Sequence, residues 1–162
     1  MKKLFIHLGN PKSGSTLIQS YLDLNDSIHI EYHGFRPRNN PNEWYKSQRI
    51  NVILNRDLRV INRLFFKKNL KNNIEYINEL YNKAKNDIWI SSENLSCRFT
   101  LEELCWDEKY ERIRELFSHL APNYLIVFRN IYKTIRSIYK EYLKRGYNQD
   151  FLYFQKELIE IQ

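Results

Sequence analysis

The N-terminal segment combines residue types that bind phosphate or sulfate. Residues 4–8 are apolar and predict a short strand, residues 9–14 form a Gly/Pro/Ser loop, and a helix is predicted to begin at residue 16. Backbone N–H groups in such a loop converge on one point, and the positive end of the helix dipole lies behind them. The residues predicted to bind the anion are Lys12, Ser13, Gly14, Ser15 and Thr16.

The spacing of this loop separates it from the loop of nucleotide-hydrolysing proteins. Gly9 and Gly14 have the spacing of the G-x-x-x-x-G-K-[ST] motif, but Ser15 stands where that motif has lysine. The lysine is instead Lys12, directly after Pro11. A P-loop nucleotide kinase relative is therefore an alternative interpretation, and the missing G-K pair argues against it.

A second candidate anion site lies near the C-terminus. Residues 123–130 predict a strand that ends in Arg129-Asn130, and a helix is predicted over 131–145. Arginine offers a planar fork that binds phosphate bidentately. Ser137 follows Arg129 by eight residues, about two helical turns into the helix. Further cations of this helix, which we interpret as a solvated face, are Lys133, Arg136, Lys140 and Lys144.

The segment 11–16 and the Arg129/Ser137 pair together resemble the sulfotransferase superfamily that uses 3′-phosphoadenosine 5′-phosphosulfate (PAPS). Residues 90–93 also look like the middle strand of its bacterial carbohydrate sulfotransferase-like members. The resemblance implies that residues 12–16 hold the 5′-phosphosulfate and that Arg129 and Ser137 hold the 3′-phosphate. It further implies sulfuryl transfer, without a metal ion, to a hydroxyl or amine of a small-molecule or glycan acceptor.

Such a reaction needs a general base to deprotonate the acceptor. In the superfamily this is a histidine or glutamate, often one strand after the phosphosulfate loop, and the resemblance thus points to Glu31 or His33. His29 shares the polar face of that predicted strand but lies earlier on it, and Glu93 is a competing candidate. Lys12 is the residue expected to stabilise charge on the leaving phosphate oxygen.

The order of elements predicts an α/β fold with a central parallel sheet and helices on both faces, in a three-layer, P-loop-like arrangement. We expect one domain over residues 1–162. Predicted strands cover 4–8, 27–33, 87–93 and 123–130; predicted helices cover 16–24, one or two within 42–68, 72–85, one from a capping box at 100–103, 107–120, 131–145 and 150–162.

Composition limits the partners that we expect. The net charge of +7 suits a ligand with several negative charges, but no nucleic-acid-binding module is recognisable. The apolar run after Met1 is too short for a signal peptide, and no run approaches the length of a membrane span, so we expect a cytoplasmic protein without stable membrane insertion. Cys97 and Cys105 are expected to be reduced thiols.

The C-terminal part departs from the superfamily pattern. Sulfotransferases usually continue well beyond the arginine–serine helix, whereas this sequence reaches Gln162 within a predicted helix. A catalytically inactive domain that binds PAPS, its product 3′-phosphoadenosine 5′-phosphate (PAP) or another anion is therefore a second interpretation. The sequence identifies neither the acceptor nor the oligomeric state.

Overall fold

The computed structural model describes residues 2–9, 14–25, 29–35, 45, 47–92, 95–96, 103–127 and 129–161, the last three without their side chains. Its centre is a sheet of four parallel strands in the order β2-β3-β1-β4. The strands are β1 (Leu4–Gly9), β2 (Ile30–Tyr32), β3 (Asp87–Ser91) and β4 (Asn123–Val127). The α/β class and the parallel central sheet predicted from the sequence are confirmed.

Six α-helices accompany the sheet in the described part of the chain. They are α1 (Ser15–Leu24), α2 (Gln48–Val52), α3 (Arg63–Lys83), α4 (Trp106–Phe117), α5 (Ile131–Lys144) and α6 (Phe151–Ile161). A π-helical turn over Ile53–Asp57 continues α2, and a 3-10 turn over Ser118–Leu120 follows α4. None of the described helices is long and apolar enough to cross a membrane.

The two faces of the sheet carry different side chains because neighbours along a strand point in opposite directions. One face of β1 and β3 is aliphatic and packs in the main core with residues of α2, the π-helical turn, α3 and α4. The other face carries a stacked pair, Phe5 and Trp89, with ring centroids 5.3 Å apart, and then His7 beside Ser91. Helix α1 lies on this second face, where Gln19 contacts Ser91.

A buried arginine stabilises the π-helical turn. Such turns leave carbonyl groups without regular helical partners. Arg112 of α4 is 1% exposed and donates to the carbonyl oxygens of Asp57 (2.8 Å) and Ile61 (2.7 Å). The Asp57 carboxylate accepts from Asn73 Nδ2 and from Arg56 Nε, each at 2.7 Å. The polar groups of this core region are thereby paired with each other.

Several predicted helix boundaries were wrong. One helix, Arg63–Lys83, replaces the predicted break near residue 70, because Asn73 contacts Asp57 as part of the helix and does not end it. Of the predicted capping box at 100–103, residues 100–102 lie outside the described residues. The fourth residue, Glu103, is described and is not helical. Its carboxylate contacts Arg59 and Lys109, so the helix begins only at Trp106.

The C-terminal elements lie at the open edge of the sheet. Strand β4 was predicted, but it covers Asn123–Val127 and does not extend to Asn130, and its Tyr124, Leu125 and Ile126 are 36–40% exposed. Helix α5 leaves two of its apolar residues, Ile131 (60% exposed) and Leu143 (44% exposed), open to solvent. Helix α5 turns Tyr139 and Tyr142 toward α6, where rings of Tyr139, Tyr142, Tyr147, Phe151 and Phe154 pack together. The two helices form a hairpin with an aromatic core of its own.

Candidate functional site

Strands β1 and β4 end side by side at one edge of the sheet. Gly9 and Val127 are register partners and the last paired residues of the two strands. Residues 10–13 follow Gly9 in sequence, and Arg129 lies two residues beyond Val127. The edge formed by the carboxyl ends of parallel strands is where ligands bind in open α/β sheets. Both predicted anion-binding segments therefore leave the sheet at the edge typical of ligand sites.

The start of α1 depends on a glycine. Gly14 is the N-cap residue with φ of 91°, and its carbonyl oxygen accepts hydrogen bonds from Leu17 N (2.9 Å) and Ile18 N (3.3 Å). Residues other than glycine rarely adopt this left-handed conformation. Among the described residues no side chain caps the first turn, and Gly14 is exposed. The turn thus presents its positive end at an accessible position.

A second glycine allows β1 and α1 to approach each other closely. A Cβ atom on Gly9 would collide with Oγ of Ser15 and would lie 3.2 Å from Cε1 of His7. Ser15 is 1% exposed, so its side chain is packed into this junction. The strand end, the imidazole of His7 and the first helical residue therefore meet at one point.

A buried polar cluster lies at this junction. His7 Nδ1 is 2.8 Å from Ser91 Oγ, and Gln19 Nε2 donates to the same oxygen at 3.1 Å. His7, Gln19 and Ser91 are completely buried, and Ser92 is 1% exposed. His7 Nε2, Gln19 Oε1 and Ser92 Oγ have no hydrogen-bond partner among the described residues. Buried polar atoms without partners are uncommon and costly, so this cluster is a candidate ligand contact.

Burial also fixes the charge of this histidine. Loss of hydration lowers the pKa of His7 below its ordinary value of 6.5. The imidazole is therefore neutral at neutral pH, with one nitrogen donating and the other accepting. Sequence reasoning did not select His7, Gln19, Ser91 or Ser92 as site residues. The available signal was a histidine inside an apolar strand and a Ser-Ser pair directly after Ile90.

The other predicted donor-site residues have the following positions. Lys12 and Ser13 lie outside the described residues, and Thr16 is exposed in the first turn of α1. Arg129 is exposed, and Ser137 is half-buried on α5. Asn130, between them, caps α5 because its Oδ1 accepts a hydrogen bond from Lys133 N (3.2 Å).

The candidate general bases have different surroundings. Glu31 Oε1 accepts a hydrogen bond from Lys85 N (2.8 Å), which precedes β3, so this carboxylate leans toward the amino ends of the strands. His33 follows β2 at the carboxyl end, is 8% exposed, and donates its backbone N–H to the Trp89 carbonyl (2.8 Å). Glu93 lies outside the described residues.

A cavity of about 250 Å³ lies between β2 and α3 and includes both described base candidates. Its lining residues are Glu31, His33, Tyr76, Glu79, Leu80 and Lys83. Glu79 pairs with Lys83 at 3.2 Å within this lining. The cavity therefore presents carboxylate, ammonium and imidazole groups together with an aromatic ring and an aliphatic side chain.

Within the described ranges, no group of three or more His, Cys, Asp or Glu side chains is arranged to hold a metal ion. Comparison with protein-family models and with curated proteins gives no match to this chain.

Proposed function

We propose that this chain binds PAPS at the carboxyl edge of β1 and β4 and transfers its sulfuryl group to an acceptor, most suitably a carbohydrate hydroxyl or amine. The observation that carries the proposal is the pairing of Gly9 with Val127. Because of this pairing, the segment 10–16 and the segment containing Arg129 begin at neighbouring strands, at the carboxyl edge of the sheet. A ligand with two separated anionic groups suits such an arrangement, and the P-loop-like architecture is part of the same proposal.

The proposed roles follow from residue chemistry. The 5′-phosphosulfate is assigned to Lys12, Ser13, Gly14, Ser15 and Thr16, and the 3′-phosphate to Arg129 and Ser137. PAPS supplies an activated sulfuryl group whose sulfur–oxygen bond to phosphate breaks on transfer. Lys12 and the amides at the start of α1 stabilise the charge left on the phosphate oxygen.

Among the described candidates, His33 suits the role of general base better than Glu31. His33 follows β2 at the carboxyl end of the sheet, whereas the Glu31 carboxylate is held by Lys85 N in the opposite direction. In this proposal His33 takes the proton of the acceptor hydroxyl as its oxygen attacks sulfur.

Calorimetric titration with PAP, compared with ATP plus magnesium, tests the donor site. We expect wild type to bind PAP with a Kd in the micromolar range and Arg129→Ala to weaken it by about tenfold or more, since hydrogen bonds between charged groups are strong. Lys140→Ala removes the same charge from the exposed surface of α5 and is the matched control. Binding of ATP–magnesium but not PAP would contradict the proposal and favour a kinase relative.

Transfer itself requires a separate measurement. Release of PAP from PAPS in the presence of a panel of saccharides, followed by mass analysis of the acceptor, distinguishes an enzyme from a domain that only binds the donor. We expect His33→Ala to retain PAP binding and to lose transfer. Tight PAP binding without transfer to any saccharide would support the second interpretation, a non-catalytic PAPS- or PAP-binding domain.

A further inference from the structure

The buried cluster at the junction of β1 and α1 contains a ring nitrogen, His7 Nε2, that has no hydrogen-bond partner among the described residues. Gln19 Nε2 donates to one lone pair of Ser91 Oγ, and His7 Nδ1 lies 2.8 Å from the same oxygen. A hydroxyl has one proton and two lone pairs, so a Ser91 hydroxyl that donates to Nδ1 can accept from Gln19 at the same time. A neutral imidazole that accepts at Nδ1 carries its own proton on Nε2.

The position of this N–H group relates it to the anion site. The His7 ring reaches to 3.2 Å from the point where a Cβ of Gly9 would lie, and Oγ of Ser15 approaches that point more closely. The ring therefore lies against the last residue of β1 and the first residue of α1. His7 Nε2 is completely buried and lacks a partner among the described residues. An oxyanion bound at the start of α1 would supply the acceptor that it lacks.

We infer that His7 is an additional ligand-binding residue, which donates its Nε2–H to an oxygen of the phosphate or sulfate group held by residues 12–16. Ser91 and Gln19 act as positioning residues, because they fix the tautomer that makes Nε2 the donor. The inference rests on the proposed anion site, but it extends that site to a residue inside the strand. As a neutral donor, His7 adds affinity for an oxyanion without adding charge.

Two substitutions of His7 test the contributions of the two ring nitrogens separately. His7→Gln keeps an amide donor near the position of Nε2, whereas His7→Asn keeps a polar group near Nδ1 and Ser91 but removes the distal donor. The probes are PAP and adenosine 3′-monophosphate, which lacks the 5′-phosphate. We expect PAP binding to weaken by about tenfold or more in His7→Asn and by about threefold or less in His7→Gln. Binding of adenosine 3′-monophosphate should stay unchanged in both variants.

The inference would be overturned if PAP binding weakened more in His7→Gln than in His7→Asn. If His7→Asn binds PAP as well as wild type, or if both variants lose PAP binding equally while their melting temperatures match that of wild type, the distal nitrogen contributes nothing specific. A loss of adenosine 3′-monophosphate binding equal to that of PAP would likewise assign His7 a purely structural role.

A measurement on wild type avoids the question of whether a variant folds. Nitrogen-15 NMR of the imidazole reports which nitrogen carries the proton. The probes are PAP and inorganic pyrophosphate. An Nε2–H tautomer whose Nε2 signal shifts with PAP supports both proposals. An Nε2 signal that shifts with pyrophosphate but not with PAP retains the inference and rejects PAPS as the sulfuryl donor. An Nδ1–H tautomer, or an Nε2 signal unmoved by either anion, overturns the inference.

Discussion

Gly9 and Val127 are register partners at the carboxyl ends of β1 and β4, and the segments predicted to bind the two phosphates of PAPS begin just beyond them. Residues 10–13 follow Gly9, and Arg129 follows Val127 by two positions. Two anion-binding segments far apart in the sequence thereby start next to each other. This adjacency depends on the pairing of β1 with β4, which the sequence pattern alone does not specify.

The close contact between Gly9 and Ser15 predicts that Gly9→Ala destabilises the fold. The added Cβ would overlap Ser15 Oγ, and overpacking of this kind typically costs about 1–3 kcal/mol. Chemical denaturation of Gly9→Ala measures the cost. In a Ser15→Ala background the same substitution should cost less, because the overlapping oxygen is gone. Equal costs in both backgrounds would show that the contact with Ser15 Oγ is not the cause.

The conformation of Gly14 predicts a different kind of cost. Gly14→Ala introduces no overlap with the described atoms within 4 Å, but it places a Cβ on a residue with φ of 91°, at about 1–2 kcal/mol. Gly146 has φ of 93° and an equally open surrounding, so Gly146→Ala is the matched control. We expect similar losses of unfolding free energy, with weaker PAP binding only in Gly14→Ala. Unchanged PAP affinity in both variants would show that Gly14 is not part of the anion site.

Local sequence patterns predicted the elements whose signals are short-range. The apolar runs of β1 and β3, the β-branched run of β4 and the periodicity of α4 each correspond to a described element. Two helix ends are also fixed by residues close in sequence: Asp150 Oδ1 accepts from Tyr153 N (2.8 Å), and Gly146 follows α5 with a positive φ. These features need only neighbours within one or two turns, which is why a single sequence is sufficient to predict them.

Long-range contacts account for the features that were missed. Glu103 matched a capping box but contacts Arg59, which is 44 residues away. His7 became a candidate site residue only through Ser91, which is 84 residues away, and through Gln19. The aromatic contacts between α5 and α6 join residues such as Tyr142 and Phe154, which no local motif links. Spacing along the chain contains no information on these partners, so the sequence could offer as candidates only residues that belong to local motifs.

The buried ion pair of Glu103 and Lys109 predicts a large stability loss on substitution. Glu103 is 4% exposed and Lys109 is completely buried, with their charged atoms 3.1 Å apart. Burial alone would raise the pKa of Glu103, but hydrogen bonds and charges from Arg59 and Lys109 outweigh it and lower the pKa. Glu103→Gln should cost about 3–5 kcal/mol in unfolding free energy.

Glu79→Gln is the control for this prediction. Glu79 pairs with Lys83 at 3.2 Å on the surface, where an ion pair contributes about 0–1 kcal/mol. Urea denaturation of both variants gives the comparison. Similar small losses in the two variants would mean that Glu103 is not essential for keeping the Lys109 ammonium buried.

The lowered pKa of His7 predicts a pH dependence of stability with a definite sign. The unfolded chain takes up a proton on this residue as the pH falls through 6.5, whereas the folded chain does so only at lower pH. Folding free energy is therefore lost as the pH falls from about 6.5 toward the folded pKa, by at most about 1.4 kcal/mol per pH unit. The described side chains in contact with the ring, Ser91 and Trp89, are neutral and do not oppose this trend.

In His7→Gln the contribution disappears, so the difference in stability between wild type and variant should change between about pH 7.5 and 5 and be constant above that range. A difference that stays constant throughout would mean that His7 titrates equally in the folded and unfolded states, and its burial beneath Gly9 would then be wrong.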